Sequence, residues 1–341
     1  MKAVEAEGVG SAAAWCPLCR SPGGRRLFSA RDRIHHRPGT FSIFACPRCR
    51  ALFIQPYLKN LQLADYYPED YSRFRHSSSP EKKRFGGVRR FVLENYYGYP
   101  RRNGGRPGAV AKFAARLLSG FAAKGAIPYR GEGRFLDVGC GGGSHLDRLR
   151  QWGWETYGVE PSAAGAAQAR RLGLSVFQGV LEDARFQSGF FDAIRLNHVL
   201  EHLVDPVATF RELHRILKPD GRVYVTAPNT RSLTFWLLRE DWYGLDAPRH
   251  VISYRPETLR ALCDASGFEI VKIKFRAGPF CLVRSVRLYF DGRGRAWPAW
   301  IRNIPWERSK AIRRSLRPFF RIVDAAGFGD FFHAVLRKKT E

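Results

Sequence analysis

A run of glycines between two short apolar segments is the feature that most constrains the fold of this chain. Residues 134–138 form the first segment, glycines follow at 139, 141, 142 and 143, and a second apolar segment ends at Glu160. This order predicts a strand, a tight turn, a helix and a second strand, because glycine permits backbone angles that other residues avoid. Glu160 lies 21 positions after Gly139, where a carboxylate accepts hydrogen bonds from a ribose diol. The turn is therefore expected to bind a nucleoside-containing ligand.

Two details of the turn favour a cationic ligand over a dinucleotide. A dinucleotide fingerprint has glycine at its first, third and sixth positions, whereas the sixth position here is Ser144 and the third glycine of the pattern is Gly143. Asp137 lies directly beside the turn, where its charge would repel a pyrophosphate and attract a cation. A purely structural role for Asp137 stays open, because aspartate often caps turns.

The segment Asp137-Val-Gly139-Cys-Gly141-Gly-Gly143 resembles motif I of the class I S-adenosylmethionine-dependent methyltransferases. The resemblance implies an α/β fold with a Rossmann-like, seven-stranded, mostly parallel sheet, helices on both faces and an antiparallel edge. It also implies S-adenosylmethionine as the cofactor. The cofactor-binding residues implied by the resemblance are Asp137, Gly139, Cys140, Gly141, Gly143, Glu160, Leu181, Glu182, Asn197 and His198. Val180 replaces the aspartate that the family often has beside the adenine, so that contact is expected to move to Glu182 or Asp183.

The segments after the turn alternate between strand and helix patterns, as this fold requires. Asp205-Pro206 reads as the start of a helix whose apolar residues recur until Leu217, and Lys218-Pro-Asp-Gly221 is expected to end it. A strand is predicted before this helix, at residues 191–197. Three more are predicted after it, at residues 222–228, 268–275 and 331–337. Alternation of this kind predicts a parallel sheet with right-handed crossovers.

Three histidines are candidate bases. The segment Asn197-His198-Val-Leu-Glu201-His202 resembles the end of the family's fourth strand, which faces the methionine part of the cofactor. The segment Asp246-Ala-Pro-Arg249-His250 is typical of an uncharacterised branch near quinone and sugar methyltransferases. His198, His202 and His250 are candidates because methylation of a hydroxyl or an acidic carbon requires removal of a proton. A solvated helix face for Glu201 and His202, and a capping role for His250, remain open.

Two cysteine pairs near the N-terminus indicate a metal site. Cys16-Pro-Leu-Cys19 and Cys46-Pro-Arg-Cys49 are separated by 26 residues, a spacing typical of zinc ribbons. Disulfides are the competing interpretation, but a reducing cytoplasm is expected for this chain. Four thiolates complete a tetrahedral site, so His35 and His36 are expected to lie outside it. The zinc predicted by this pattern is structural.

The net charge of +26 is concentrated outside the central region. Lys plus Arg and Asp plus Glu number 18 and 18 in residues 131–274, but 14 and 2 in residues 71–130 and 15 and 5 in residues 275–341. Apolar groups beside arginines in residues 299–306 and 312–323 favour contact with an anionic membrane surface over a nucleic-acid groove. A compositional origin stays open, because Arg outnumbers Lys 45 to 12.

These patterns predict three regions. Residues 1–60 form a zinc ribbon, residues 61–130 a basic, aromatic linker with a packing helix, and residues 131–341 the methyltransferase domain, with a basic insertion at about 276–328. The helix in the linker is expected to pack on the sheet through one apolar stripe. That stripe comprises Val110, Phe113, Ala114, Leu117, Leu118 and Phe121.

The expected function is methyl transfer from S-adenosylmethionine to a small-molecule or lipid-linked acceptor of cell-surface glycan or secondary metabolism. The expected location is the cytoplasm, with peripheral contact at the inner face of an anionic membrane. No apolar run reaches the roughly 18 residues of a membrane-spanning helix. Two alternatives remain: an RNA methyltransferase that grips nucleic acid with the ribbon and the arginine-rich flanks, and a scaffold that has the fold without the activity.

Overall fold

The structure of the protein is a computed structural model. It describes residues 14–58, 62–63, 65–67, 86–101, 104–123, 125–294 and 309–340. The strands are β1 (Arg25–Ala30), β2 (Phe41–Ala45), β3 (Leu52–Gln55), β4 (Arg134–Val138), β5 (Glu155–Glu160), β6 (Ser175–Gln178), β7 (Phe191–Asn197), β8 (Leu217–Pro228), β9 (Ile252–Ser253), β10 (Phe268–Arg276) and β11 (Phe331–Lys338). The helices are α1 (Gly86–Tyr96), α2 (Ala109–Ala122), α3 (Ser144–Arg150), α4 (Ala163–Arg171), α5 (Pro206–Ile216), α6 (Leu233–Leu238), α7 (Pro256–Ala265), α8 (Pro279–Asp291), α9 (Lys310–Ser315) and α10 (Arg317–Ala325).

The described strands form two sheets. The larger has seven strands in the order β10-β11-β8-β7-β4-β5-β6, and the smaller has four in the order β1-β2-β3-β9. Strands β4, β5 and β6 pair in parallel, whereas β11 is antiparallel to both β8 and β10. The predicted Rossmann-like, mostly parallel sheet with an antiparallel edge is therefore confirmed. The helix that was predicted to stop at residues 218–221 ends at Ile216, and strand β8 begins at Leu217, so that residues 218–221 already belong to the strand.

The chain divides into two compact units. The first comprises Met1–Glu69, Leu196–His214 and Val223–Glu341, and the second comprises Asp70–Arg195 and Arg215–Arg222. The first unit therefore holds the cysteine pairs together with the C-terminal half of the chain, and the second holds the glycine turn.

In the second unit, buried apolar residues pack at the start of the strands β4 and β5. Phe135 and Leu136 of β4 are fully buried, and the rings of Tyr99 and Tyr129 lie 6.2 Å and 4.8 Å from that of Trp154. Helices α1 and α2 pack against each other within this unit.

Helix α2 differs from its prediction. Its large apolar residues were expected to pack on the sheet, but Val110, Phe113, Leu117 and Phe121 are 84%, 64%, 70% and 70% exposed. The helix instead buries Ala115, so that the prediction of its orientation is wrong. The spacing of large apolar residues identifies one apolar side of a helix. In α2, however, small residues form a second stripe on another side, and that stripe packs against the neighbouring helix.

In the first unit, the small sheet joins distant parts of the chain. Residues 52 and 53 of β3 pair antiparallel with residues 253 and 252 of β9. The hydroxyl of Thr258 in α7 also donates to the carbonyl of Cys49 over 2.9 Å. The ribbon is thus completed by residues that follow it by about 200 positions along the chain.

The basic insertion contains three described helices. In α10, Phe320 and Val323 are buried, whereas Phe319 and Ile322 are exposed. Residues 299–306, whose aromatic groups supported the membrane prediction, lie outside the described residues. None of the described helices combines the length and the apolar composition that a bilayer-spanning segment needs.

Candidate active site

The glycine turn is held by backbone hydrogen bonds between neighbouring segments of the second unit. The amides of Gly139 and Cys140 donate to the carbonyl of Val159 over 2.7 and 3.2 Å, and the amide of Gly143 donates to the carbonyl of Cys140 over 3.1 Å. Gly143 has a φ of 78°, and a Cβ atom there would lie 2.5 Å from Cδ1 of Leu174. Both its backbone angle and its surroundings therefore require glycine.

Asp137, at the end of β4, has a buried carboxylate of which only one oxygen accepts a hydrogen bond from the described residues. It is 2% exposed, and its Oδ2 accepts a hydrogen bond of 2.9 Å from Arg195. Its Oδ1 has no hydrogen-bond partner among the residues that the structure describes. Burial raises the pKa of Asp137 to about 6, although Arg195 opposes the shift and Glu160 adds to it. A buried oxygen without a donor fits a ligand that carries a positive charge.

Glu160, at the end of β5, closes the turn from the other side. Its Oε2 accepts from the amide of Gly141 over 2.7 Å, and its Oε1 accepts from the amide of Ser162 over 2.9 Å. Each carboxylate oxygen has a second lone pair, so these bonds still allow the carboxylate to accept from a ribose diol. Glu160 therefore fixes the conformation of the turn in addition to its predicted role toward the ligand.

The remaining predicted cofactor residues divide between the two units. Leu181 is buried and Glu182 exposed in a short 3₁₀ turn after β6, within the second unit. Cys140 is buried in the glycine turn, and burial raises the pKa of its thiol. Asn197 and His198 belong to the first unit. Their contact with the cofactor stays a prediction.

A histidine and carboxylate cluster occupies the first unit, and Glu201 is its centre. Glu201 is 1% exposed, with Oε1 3.2 Å from Nδ1 of His198 and 3.9 Å from Nε2 of His250. Its Oε2 has no hydrogen-bond partner within the described ranges. The alternative that Glu201 lies on a solvated helix face is therefore wrong.

Backbone carbonyls orient two of the imidazole rings. Nδ1 of His202 lies 2.9 Å from the carbonyl oxygen of Arg249, and Nδ1 of His250 lies 2.9 Å from that of Gly244. A carbonyl oxygen only accepts, so both Nδ1 atoms carry the hydrogen and the lone pair of each neutral ring is on Nε2. The hydroxyl of Tyr67 also lies 2.9 Å from Nδ1 of His202. The cluster thus contains oriented groups that can accept a proton.

The surroundings of Glu201 and Asp246 favour the charged form of both carboxylates. Burial favours the neutral form of Glu201, but the hydrogen bond from His198 and the charges of His198, His250 and His202 lower the pKa of Glu201 to about 2. Burial of Asp246 is likewise outweighed by His250 and Arg249, so the pKa of Asp246 is lowered. Two charged carboxylates therefore lie beside the imidazole rings of His198 and His250. Donor atoms of Glu201, His202 and His250 also lie within 4.8 Å of one another, a set that a divalent cation could use.

Arg249 connects this cluster to the ribbon. It is fully buried and donates to both oxygens of Asp32 over 2.7 and 2.8 Å, and also to the side chain of Asp246. Asp32 in turn accepts from the amides of Ile34 and His35. The two aspartates raise the pKa of Arg249 further, against the effect of burial. This bidentate pair fixes the loop that carries His250 and the carbonyl facing His202.

Sequence reasoning did not identify Asp32 and Tyr67. Asp32 lies in the segment between the cysteine pairs, and Tyr67 lies in the linker. Their partners Arg249 and His202 follow them by 217 and 135 positions. The only available signal was the acidic residue within the otherwise basic segment Arg31-Asp-Arg33.

The four cysteines of the ribbon meet at one point. The sulfurs of Cys16 and Cys49, and those of Cys19 and Cys46, are 3.5 Å apart, and all four lie within 4.8 Å of one another. Thiolates at about 2.3 Å from a tetrahedral zinc would be about 3.8 Å apart, so this donor set fits zinc. All seven cysteines are free, and His35 and His36 are not members of the group.

A groove of about 680 Å³ lies elsewhere in the first unit, between the cysteine pairs and the helices α5 and α7. Arg20, Arg48 and Arg211 line it together with Asp205 and Asp264. The lining does not include His198, His202 or His250. The groove and the histidine and carboxylate cluster are therefore separate features of this unit.

Comparisons with known proteins agree with this architecture. A family model described as a methyltransferase domain matches residues 104–273. A ubiquinone biosynthesis O-methyltransferase from Xanthomonas oryzae is 34% identical over 111 residues, which cover 30% of this chain and 46% of that protein. One from Pseudomonas aeruginosa is 29% identical over 155 residues, which cover 41% of this chain and 66% of that protein. The chain thus spans about half the length of the first of these relatives.

Among solved structures, a SAM-dependent methyltransferase from Archaeoglobus fulgidus is 19% identical, with a TM-score of 0.42, over 67% of this chain and 93% of that one. The family match, the glycine turn and the order of the seven strands lead to one conclusion. The chain belongs to the class I S-adenosylmethionine-dependent methyltransferase family.

Proposed function

We propose that this protein transfers a methyl group from S-adenosylmethionine to an oxygen of a small-molecule or lipid-linked acceptor. The observation that carries the proposal is the cluster of the buried Glu201 and His250 with the half-buried His202, in which carbonyl groups orient both imidazoles. The names of the two curated relatives support oxygen as the methylated atom. Cell-surface glycan or secondary metabolism remains the proposed source of the acceptor.

The glycine turn is the proposed cofactor site. S-adenosylmethionine supplies an electrophilic methyl group on a sulfonium when bound. Asp137 offers a buried oxygen to a positive charge, Glu160 offers acceptors for a ribose, and the buried Leu181 offers an apolar surface for an adenine. These residues bind and orient the donor, and positioning supplies a large part of the rate of such bimolecular transfers.

His202 is the proposed base. Its Nδ1 hydrogen points to the carbonyl of Arg249, so its Nε2 is the atom that would take the hydroxyl proton of the acceptor. His250 is more deeply buried and lies between Glu201 and Asp246, at 3.9 and 3.8 Å. We assign the stabilisation of positive charge on His202 to the carboxylate of Glu201, and we assign to His250 the positioning of that carboxylate. His198, whose Nδ1 donates to Glu201, is likewise assigned a positioning role.

Substitution of His202 tests this assignment. We expect His202→Gln to lower kcat by about 100-fold or more, the usual contribution of a positioned base, while cofactor affinity measured by calorimetry is unchanged. The matched control is His36→Gln, an exposed histidine outside both clusters, which should retain full activity. Turnover would be followed with methyl-labelled cofactor against separated lipid, glycan, RNA and small-molecule fractions.

The same assay distinguishes the alternatives. Label in RNA would replace the proposed acceptor with nucleic acid, and absence of cofactor binding would indicate a scaffold without activity. If turnover required an added divalent cation while the zinc content of the protein stayed unchanged, Glu201, His202 and His250 would be metal ligands instead of a base and its partners. Unchanged turnover in His202→Gln would exclude His202 from either role.

We further propose that Cys16, Cys19, Cys46 and Cys49 hold one structural zinc ion. The closeness of their four sulfurs and the absence of any disulfide among the cysteines support this. A site closed by four protein ligands leaves no open position for a substrate, so the metal would stabilise the ribbon without taking part in the reaction.

A further inference from the structure

Helix α2 turns its large apolar residues outward and its small residues inward. Its exposed stripe consists of Val110, Phe113 and Leu117, which recur at intervals of three and four residues along one side. On the other side, Ala115 is buried and Ala111, Ser119 and Ala122 are half-buried. The inner residues allow close packing on α1, so the exposed stripe is not required for the fold of the unit.

An arrangement of this kind is uncommon on a protein that only contacts water. Scattered apolar side chains are normal at a surface, but three large ones in a single helical row form a continuous patch. The stripe is therefore available for a partner that offers an apolar environment.

The charges around the stripe identify the chemistry of that partner. Lys112 and Arg116 are exposed on the same helix, which contains no acidic residue. Residues 86–122 contain seven Lys or Arg and a single acidic residue, Glu94, whose carboxylate lies 4.0 Å from Arg90. Apolar groups on a helix whose exposed charges are all cations match a surface with an apolar interior and negative headgroups.

We propose that the exposed stripe of α2 docks the protein on an anionic lipid surface. The apolar side chains would enter the boundary between headgroups and acyl chains, with Arg116 at the level of the phosphates and Lys112 on the same flank of the helix. This proposal concerns a surface and does not depend on the methyl transfer proposed above.

Two other occupants fit the charges less well. A second copy of the chain would bring Lys112 and Arg116 of both molecules together without an acidic residue on either helix. A nucleic acid would satisfy the cations but would leave Val110, Phe113 and Leu117 without apolar contacts.

Vesicle flotation with the full chain tests the proposal. The probes are vesicles of phosphatidylcholine alone and vesicles that also contain phosphatidylglycerol, each at low and high salt. We expect binding to the anionic vesicles, weakened at high salt, and at least tenfold weaker binding for the triple variant Val110→Ser, Phe113→Ser, Leu117→Ser. The double variant Lys112→Glu, Arg116→Glu should lose affinity for the anionic vesicles specifically.

The control is Trp236→Ser, Leu237→Ser, which removes two exposed apolar residues from a helix of the first unit. It should bind vesicles as the unchanged protein does, and an equal loss would overturn a specific role for α2. Cofactor binding and the thermal midpoint verify that every variant is folded. Unchanged binding by the triple variant, or equal binding to both vesicle types, would overturn the proposal. A different result would also overturn it: the unchanged protein is a dimer in sedimentation equilibrium, the triple variant is a monomer, and neither binds vesicles.

Discussion

Hydrogen-bond partners are close together in the sequence at the glycine turn but far apart in the histidine and carboxylate cluster. In the turn, Gly141 donates to Glu160, which is 19 positions away. In the cluster, Tyr67 reaches His202 over 135 positions, and Asp32 reaches Arg249 over 217. The turn therefore depends on a single strand, turn, helix and strand unit, whereas the cluster depends on the folding of the ribbon. Disturbance of the ribbon should affect the cluster and spare the turn.

The largest effect is expected when the proposed zinc site is removed by substitution of one cysteine. We expect Cys16→Ser to release the zinc and unfold the ribbon, because three thiolates no longer close the four-ligand site that ties the two cysteine pairs together. Asp32 would then leave Arg249, the carbonyl facing His202 would move, and methyl transfer should fall by about 100-fold or more. Metal content, activity and cofactor calorimetry measure the three effects.

Cofactor affinity should remain close to that of the unchanged protein in this variant. Cys263→Ala, which alters a buried cysteine outside the metal group, is the matched control and should retain the zinc. A metal-free ribbon that remained folded, or a cofactor affinity that fell together with the activity, would contradict the proposed separation.

A narrower test removes only the buried ion pair. Asp32→Ala should lower the free energy of unfolding by about 3 kcal/mol, because Arg249 keeps its charge in the interior without its bidentate partner. Denaturant unfolding measures the loss, and kcat is expected to fall while cofactor affinity does not.

The double variant Asp32→Ala, Arg249→Met is the control for that loss. Replacement of both charges removes the unpaired cation, so part of the stability should return while the loop stays misplaced. A change of less than about 1 kcal/mol in Asp32→Ala, the size of an exposed pair, would show that the pair is not buried in solution.

The opposite test acts on the glycine turn. Glu160→Ala should weaken cofactor binding by about 10-fold or more, because a hydrogen bond to a charged group contributes about 1.5–3 kcal/mol. Part of the loss would come from the turn itself, since the amides of Gly141 and Ser162 also lose their acceptor. Glu182→Ala, an exposed carboxylate in the 3₁₀ turn, should have a smaller effect in the same calorimetric titration. Wild-type affinity in Glu160→Ala would exclude the ribose contact.

The smallest expected effect is a pH dependence of cofactor binding. The pKa of Asp137 is raised to about 6, so the side chain becomes charged as pH rises through that value. A cationic ligand prefers the charged form, and affinity should therefore increase by a few-fold between about pH 5 and pH 7, about one unit on either side of the pKa. The increase should be absent in Asp137→Asn. A cofactor affinity that did not change with pH in the unchanged protein would indicate that Asp137 interacts only with Arg195.

The fold could be predicted because its signals are local. Seven consecutive residues from Asp137 specify the turn, and two short cysteine pairs specify the group of four sulfurs. The orientation of α2 was beyond prediction, since Ala111, Ala115 and Ser119 form a stripe as regular as that of Phe113 and Leu117. The burial of Glu201 was also beyond prediction, because the His250 loop and its supports come from distant segments. Tertiary packing decides both questions, and sequence periodicity carries no information about it.

The pairing of Asp32 with Arg249 also has a consequence for synthesis of the chain. Asp32 leaves the ribosome 217 residues before its partner, a delay of roughly 10 to 40 s at about 5–20 residues per second. During that interval β3 lacks its neighbour β9, and its edge is open to other chains. A nascent protein stalled before residue 249 should thus carry an incomplete ribbon, exposed to proteases and chaperones until the distant loop emerges.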